Sequence, residues 1–198
     1  MTTDTGSYEI TPVLTLVDHL KAIPEENFGI EAVDRVLTRV DLDLESLIPF
    51  THIREGAYTR NLIYRDSLFE VLLLCWAPGQ GTPVHNHRGQ LGWMVVTQGK
   101  LTVVNYKRLR CSHECHKAER FSEMVADRTL TANEGFLCHV RDGETVHQIR
   151  NEGDEPAMSL HIYSRPIDTC VIYDVVNKTC RDKTLKNFTE FGEPCDLC

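Results

Sequence analysis

From Tyr58 onward the sequence is a succession of short β-rich runs broken by tight-turn clusters, and this rhythm constrains the fold more than any other feature of the 198-residue chain. The runs are Tyr58–Tyr64, Phe69–Ala77, Gly92–Thr97, Lys100–Tyr106, Thr129–Thr131, Gly135–Val140, Val146–Arg150, Ala157–Ser164 and Thr169–Val176. Between them lie Pro78-Gly79, Gln98-Gly99, Asn133-Glu134-Gly135, Asp142-Gly143 and Gly153-Asp154, residues whose backbone preferences suit turns. Many short strands joined this way predict a mainly β chain folded as a sandwich or barrel of antiparallel sheet. Residues 107–120 are polar and charged and are expected to form a surface excursion.

The first fifty or so residues follow a different period. Thr11-Pro12 opens a helix in which Leu14, Val17 and Leu20 fall at helical spacing. Ile30, Val33, Val36, Leu37 and Val40 repeat the pattern, and Asp43 is placed to cap a third short helix running through Ile48. The expected organisation is one domain over residues 1–198. Helices in 1–55 would pack on a barrel formed by 56–180, with a polar C-terminal tail at 181–198.

Composition narrows the function classes. Hydrophobic residues make up 41% and charged residues 25%, as expected of a soluble globular protein. A net charge of −8 without a basic stripe argues against a nucleic-acid partner, because no cluster of cations is present to displace phosphate counterions. The longest apolar segment, Phe69–Ala77, is too short to span a bilayer and contains Glu70, so no membrane partner is expected. The N-terminus lacks the charged start and apolar run of a signal peptide, which makes the cytoplasm the expected location. Cys75, Cys138 and Cys170 lie in strand-like runs and are expected to behave as small buried hydrophobes. Cys111 with Cys115 and Cys195 with Cys198 form C-x3-C and C-x2-C pairs near His113 and His116, a spacing that resembles zinc half-sites. The pairs are far apart in sequence, and reduced thiols on a loop and a tail are the preferred reading.

The sharpest local signal is His85-Asn86-His87. Residues i and i+2 of a strand point the same way, so both imidazoles face one side of the sheet, a pair suited to a first-row transition metal. His147 recurs later in a comparable setting. Gly79, His85, His87 and Gly99 match the first motif of the cupin superfamily, and Gly135, Gly143, His147 and Asn151 approximate the second, with Arg141 where proline is common. The resemblance implies a cupin-type antiparallel β-barrel, jelly-roll-like, with a small N-terminal helical segment. The usual first motif also supplies a Glu ligand three or four residues beyond the second histidine; here those positions are Leu91 and Gly92. The predicted metal set is therefore three neutral histidines, His85, His87 and His147. Such a set leaves a high positive charge that favours an anionic sulfur.

Ser159, His161 and Tyr163 occupy alternate positions of one run, so a hydroxyl, an imidazole and a phenol share one face and can form a hydrogen-bonded chain. Arg60, in Tyr58-Thr59-Arg60-Asn61, is a guanidinium that can hold a carboxylate through two parallel hydrogen bonds. With Tyr58-Thr59-Arg60-Asn61-Leu62, Leu74-Cys75-Trp76, Val84-His85-Asn86-His87, Arg128-Thr129-Leu130 and Ser159-Leu160-His161-Ile162-Tyr163-Ser164 running on to Asp168-Thr169-Cys170, the chain closely resembles the cysteine dioxygenase family from about Tyr58 to Cys170. That resemblance implies Fe(2+) on His85, His87 and His147, with L-cysteine and O2 converted to cysteine sulfinic acid. It also implies that Arg60 pairs with the substrate carboxylate with help from Tyr58. Tyr163 then hydrogen-bonds near the sulfur and oxygen, positioned by His161 and Ser159. The partners implied are a small thiol and O2, and the expected assembly is a monomer or weak homo-oligomer.

This chain departs from the family pattern in two places. Animal members carry a cysteine that bonds covalently to the active-site tyrosine; Gly92 stands there, so no such crosslink to Tyr163 is expected, as in bacterial-type members. Where many members read Ser-Pro-Pro the chain reads Ser164-Arg165-Pro166, and the added Arg165 is expected to face solvent. Family members that prefer 3-mercaptopropionate usually have Gln at the position of Arg60, so Arg60 favours cysteine without excluding a dicarboxylate thiol such as mercaptosuccinate. A cupin that binds metal without turnover is the remaining alternative.

Overall fold

Helical spacing in the first fifty residues does produce two short helices. In the computed structural model, which describes residues 10–111, 120–140 and 145–195, the chain divides at Pro49 and Phe50 into two units. The first contains β1 (Ile10–Thr11), α1 (Val13–Lys21), α2 (Ile30–Leu37) and β2 (Asp41–Leu42), with β1 and β2 paired in parallel. Pro12 stands at the N-cap of α1 in an extended conformation, and the amide of Val13, one of the donors a helix start leaves unsatisfied, bonds to Ser46 Oγ at 2.8 Å. The buried stripe of α1 is Val13, Leu16, Val17 and Leu20, whereas Leu14, expected on that face, is 58% exposed. The i, i+3, i+4, i+7 set wins because it is the wider apolar face. The third helix is a 3-10 turn, Leu44–Phe50, with the Asp43 carboxylate accepting the Glu45 amide at 3.0 Å. Pro49 has no N–H to give, so an α-register bond to Glu45 is unavailable.

The second unit is all strand: β3 (Thr59–Arg65), β4 (Phe69–Trp76), β5 (Val84–His85), β6 (Gly92–Gln98), β7 (Lys100–Cys111), β8 (Arg120–Asn133), β9 (Leu137–Val140), β10 (Val146–Arg150), β11 (Ala157–Ser164), β12 (Thr169–Asp174), β13 (Thr179–Thr184), β14 (Thr189–Glu190) and β15 (Glu193–Pro194). One sheet has the order β15-β14-β3-β4-β11-β6-β9; in the other, β10-β5-β12-β13-β8-β7, the outermost strands β10 and β7 also pair, so hydrogen bonding runs round a ring. Among the described residues no ladder joins the two sheets, so they enclose the core as a sandwich and not as one continuous hydrogen-bonded cylinder. That core draws Leu62, Leu72, Trp76 and Val96 from the seven-stranded sheet and Leu101, Val103 and Ile149 from the ring.

Two expectations change. The polar stretch at 107–120 is entered and left by strand, since β7 and β8 stay paired out to Cys111 and Ser122. The ladder satisfies the backbone whatever the side chains carry, and Lys107 to Arg110 are exposed, Arg108 lying over the Tyr173 ring and donating to its hydroxyl at 3.0 Å. The segment expected as a polar tail begins inside β13, which pairs with β12 along its whole length. Gly99, at φ +73°, makes the β6–β7 turn, and a Cβ there would lie 3.0 Å from the Pro156 carbonyl.

Candidate metal centre and its cavity

Strand register places the site between the two sheets. On the ring, His85 of β5 stands directly opposite His147 of β10. His87 follows β5, and Asn86 between them faces the other way, where its Oδ1 accepts the Val171 amide at 3.0 Å while its own amide bonds the Val171 carbonyl. This two-point tie to β12 fixes the backbone from which both histidines project. The three ring centroids lie 4.8–5.1 Å apart, and one nitrogen from each ring falls within 4.8 Å of the others.

These residues fit a metal ion on two grounds. His87 Nδ1 and His147 Nε2 are buried with no hydrogen-bond partner among the described residues, a costly state unless an atom from outside the chain meets such nitrogens. His85 Nδ1 lies 3.0 Å from the Pro83 carbonyl and so carries the proton, which leaves its other nitrogen a lone pair to donate. Burial holds all three imidazoles neutral: His85 is pulled down to about 4, and His87 and His147 fall well below the usual histidine value, helped by their mutual repulsion. Neutral imidazoles are the form that ligates.

The facing wall comes from β3, β4, β11 and β6. Arg60 is opposite Leu74, and Leu74 is opposite Ser159, so Arg60 and Ser159 share the inward face. Ser159, His161 and Tyr163 follow along β11, which is buried from Ala157 through Tyr163 instead of presenting a polar barrel face. Trp76 Nε1 donates to Ser159 Oγ at 3.0 Å, Ser159 Oγ lies 2.8 Å from His161 Nε2, and His161 Nδ1 lies 3.1 Å from the Tyr163 hydroxyl. The direction of this chain follows from its fixed end. An indole N–H can only donate, so Ser159 accepts from Trp76 and gives its own proton to His161 Nε2. Burial lowers His161 to about 3, so the ring is neutral and its proton sits on Nδ1, donated to Tyr163. The Tyr163 proton is then directed away from His161, and burial raises the phenol above its ordinary range, keeping it protonated. The Tyr163 ring stacks beside His87 at 5.7 Å, which brings the two walls together.

Arg60 is 9% exposed, and its Nε has no hydrogen-bond partner among the described residues. Its Nη2 lies 3.9 Å from Glu70, a buried carboxylate that also faces Arg65 at 3.8 Å and accepts the Ile167 amide at 3.0 Å. At 3.9 Å the guanidinium keeps donors free for another acceptor. Tyr58 stacks on Trp76 at 4.6 Å, and burial pushes its phenol up, against the pull of Arg60. Gly92 is opposite Tyr163, and a Cβ there would lie 3.1 Å from two ring carbons, so glycine is what lets the phenol sit against β6. With no sulfur at position 92, a thioether to Tyr163 has no source there.

The structure therefore brings Tyr58, Arg60, His85, His87, His161 and Tyr163 around one cavity, with His147 in the histidine cluster and Ser159 behind His161. Arg165 is exposed, at φ +69°, and does not line it. Cys75 and Cys170 are buried as expected, and Cys138 is half-buried. Of the zinc half-sites, His113, Cys115, His116 and Cys198 lie outside the described residues, as do Arg141 and Gly143 of the second motif. Sequence reasoning missed the parts played by Glu70 and Trp76. Glu70 left a signal, a lone charge inside the apolar run Phe69–Ala77.

The family model described as cysteine dioxygenase type I matches residues 4–176. Cysteine dioxygenase type 1 of Rattus norvegicus is 26% identical over 192 residues, covering 93% of this chain and 91% of the relative. The Danio rerio protein of the same name is 24% identical over 193 residues, with 93% and 92% covered. Among solved structures, a cupin superfamily protein from Desulfitobacterium hafniense aligns with a TM-score of 0.43 at 15% identity, covering 62% of this chain and 88% of that one.

Proposed function

We propose a specific reaction for this chain, which belongs to the cysteine dioxygenase type I family and is an oxygenase: it oxidises the thiol of a small carboxylate-bearing substrate, L-cysteine first among them, to the sulfinic acid. Both atoms of O2 end on sulfur. The observation that carries the reading is the convergence of three neutral imidazole donors within 4.8 Å of one another beside a buried guanidinium. The ion we assign to His85, His87 and His147 is Fe(2+), which supplies a Lewis-acidic, redox-active centre for the thiol and O2.

The residues around it have separate tasks. Arg60 holds the substrate carboxylate with its unpaired donors, and Tyr58, kept protonated by burial, offers one more. Tyr163 directs its proton at the reacting sulfur and oxygen because His161, held in turn by Ser159 and Trp76, donates to the phenol oxygen. These groups are in place before substrate arrives, so orientation costs little at the moment of reaction. The cavity is narrow and lined by Tyr58, Arg60, His85, His87, His161 and Tyr163, so a small substrate entering it meets the guanidinium, the phenols and the histidine cluster together. No described helix is long and apolar enough to cross a membrane. We place the protein in the cytoplasm as a monomer or weak homo-oligomer, without a nucleic-acid partner.

The test is O2 uptake by protein loaded with ferrous iron, offered L-cysteine, 3-mercaptopropionate and mercaptosuccinate in parallel, with product mass read for two added oxygens. Uptake with L-cysteine and a sulfinate product are expected. No uptake with any thiol would overturn the reading.

A further inference from the structure

The charge of the cavity is one-sided. Its described lining includes Arg60 and Lys183 and no carboxylate, in a chain that carries 29 acidic against 21 basic residues. Arg60 has Glu70 behind it, whereas Lys183 has no ion pair or hydrogen bond to any described residue. Lys183 is half-buried on β13, directly opposite Cys170, which also lines the cavity. It also lines the wider outer pocket that adjoins the cavity at Tyr58, Arg60 and Leu185. Arg54 and Lys186 stand in that outer pocket, again without a carboxylate among the described lining. A lysine ammonium without a counter-charge among the described residues keeps its donors available to an incoming carboxylate.

We propose that Lys183 is a second anion-holding position of this site, so that the site accepts thiols carrying two acid groups, one carboxylate on Arg60 and the other on Lys183. The proposal rests on the thiol dioxygenase reading above and extends it to a substrate class. L-Cysteine engages Arg60 alone. A mercapto dicarboxylate fills the inner cavity with its thiol and first carboxylate and directs the second toward the mouth, where Lys183 borders both spaces. The reaction is unchanged: one thiol and one O2 give one sulfinate, with no further oxidant.

The experiment compares the iron-loaded full-length protein with Lys183→Met, which keeps the stem and removes the charge, and with Lys183→Arg. Mercaptosuccinate and L-cysteine are the substrates, and succinate binding is followed by calorimetry under nitrogen, where no turnover is possible. The wild type is expected to oxidise mercaptosuccinate and bind succinate. Lys183→Met should raise KM for mercaptosuccinate and Kd for succinate about tenfold, as loss of one charge-assisted contact implies. KM for L-cysteine should move less than about twofold, and Lys183→Arg should restore the dicarboxylate values. Oxidation of L-cysteine with mercaptosuccinate untouched, or equal weakening of both thiols in Lys183→Met, overturns the assignment. If neither thiol is oxidised the dioxygenase reading alone fails, and succinate still decides Lys183: no binding, or binding unchanged in Lys183→Met, overturns it.

Discussion

The two walls of the cavity satisfy their polar atoms in opposite ways. On the ring wall, His87 Nδ1 and His147 Nε2 are buried without partners among the described residues. On the facing wall, Trp76, Ser159, His161 and Tyr163 are joined end to end within 3.1 Å. The histidine cluster depends on an atom from outside the chain, whereas the hydrogen-bonded run on the facing wall is closed from Trp76 to Tyr163. A buried nitrogen without a partner is costly, so binding energy there couples directly to the ion, whereas the hydrogen-bonded chain stores geometry. Substitutions on the two walls should therefore separate metal retention from turnover.

The largest expected effect breaks the ring wall. His147→Ala should lose most of its metal on dialysis, more than about tenfold below wild type by elemental analysis, because one of three ligands is gone. Retention at the wild-type level would remove the cluster from the metal role. Next in size is Arg60→Ala, which should keep its metal while KM for L-cysteine rises about a hundredfold, the cost of a charge-assisted pair. Equal loss of metal and substrate binding would contradict the separation.

Acidity sharpens the comparison. Burial depresses His85 to about 4 and His161 to about 3 in the folded state, below the unfolded histidine value near 6.5. The unfolded chain then binds protons first, so stability is full above about pH 6.5 and falls as pH drops toward those folded values. Thermal melts of the metal-free protein should show Tm declining from pH 6.5 to 4. A bound ion should protect His85 in the same melts, because the ion binds only the folded state; His161, on the self-contained wall, gains no such direct protection. A flat Tm over that range would mean these rings are already solvated. The smallest effect is Trp76→Phe, which removes the donor at the start of the Ser159 chain; a loss of about 1 kcal/mol in denaturant unfolding is expected, with metal content unchanged. A metal loss here would show the two walls to be coupled.

Much of this site was legible because its spacings are local. His85 and His87, and Ser159, His161 and Tyr163, share faces by strand period alone. The turn clusters likewise placed most strands from Tyr58 to Val176. The same reasoning misjudged α1 by one position, because Leu14 and Val13 both fit a helical period and only packing decides which is buried. It ended β7 too early, because a polar strand is stabilised by its pairing to β8, which no local pattern records.

The sequence by itself determined the donor types, their same-face pairing and the absence of a carboxylate near Leu91 and Gly92. Tertiary structure alone decided that β13 lies against β12, which brings Lys183 opposite Cys170 and into the cavity of Arg60. It also placed Trp76 behind Ser159 and Glu70 behind Arg60. Trp76 meets Ser159, and Lys183 meets the cavity of Arg60, across strands distant in the chain, and register between strands is set by the whole buried face, not by the spacing within any one strand.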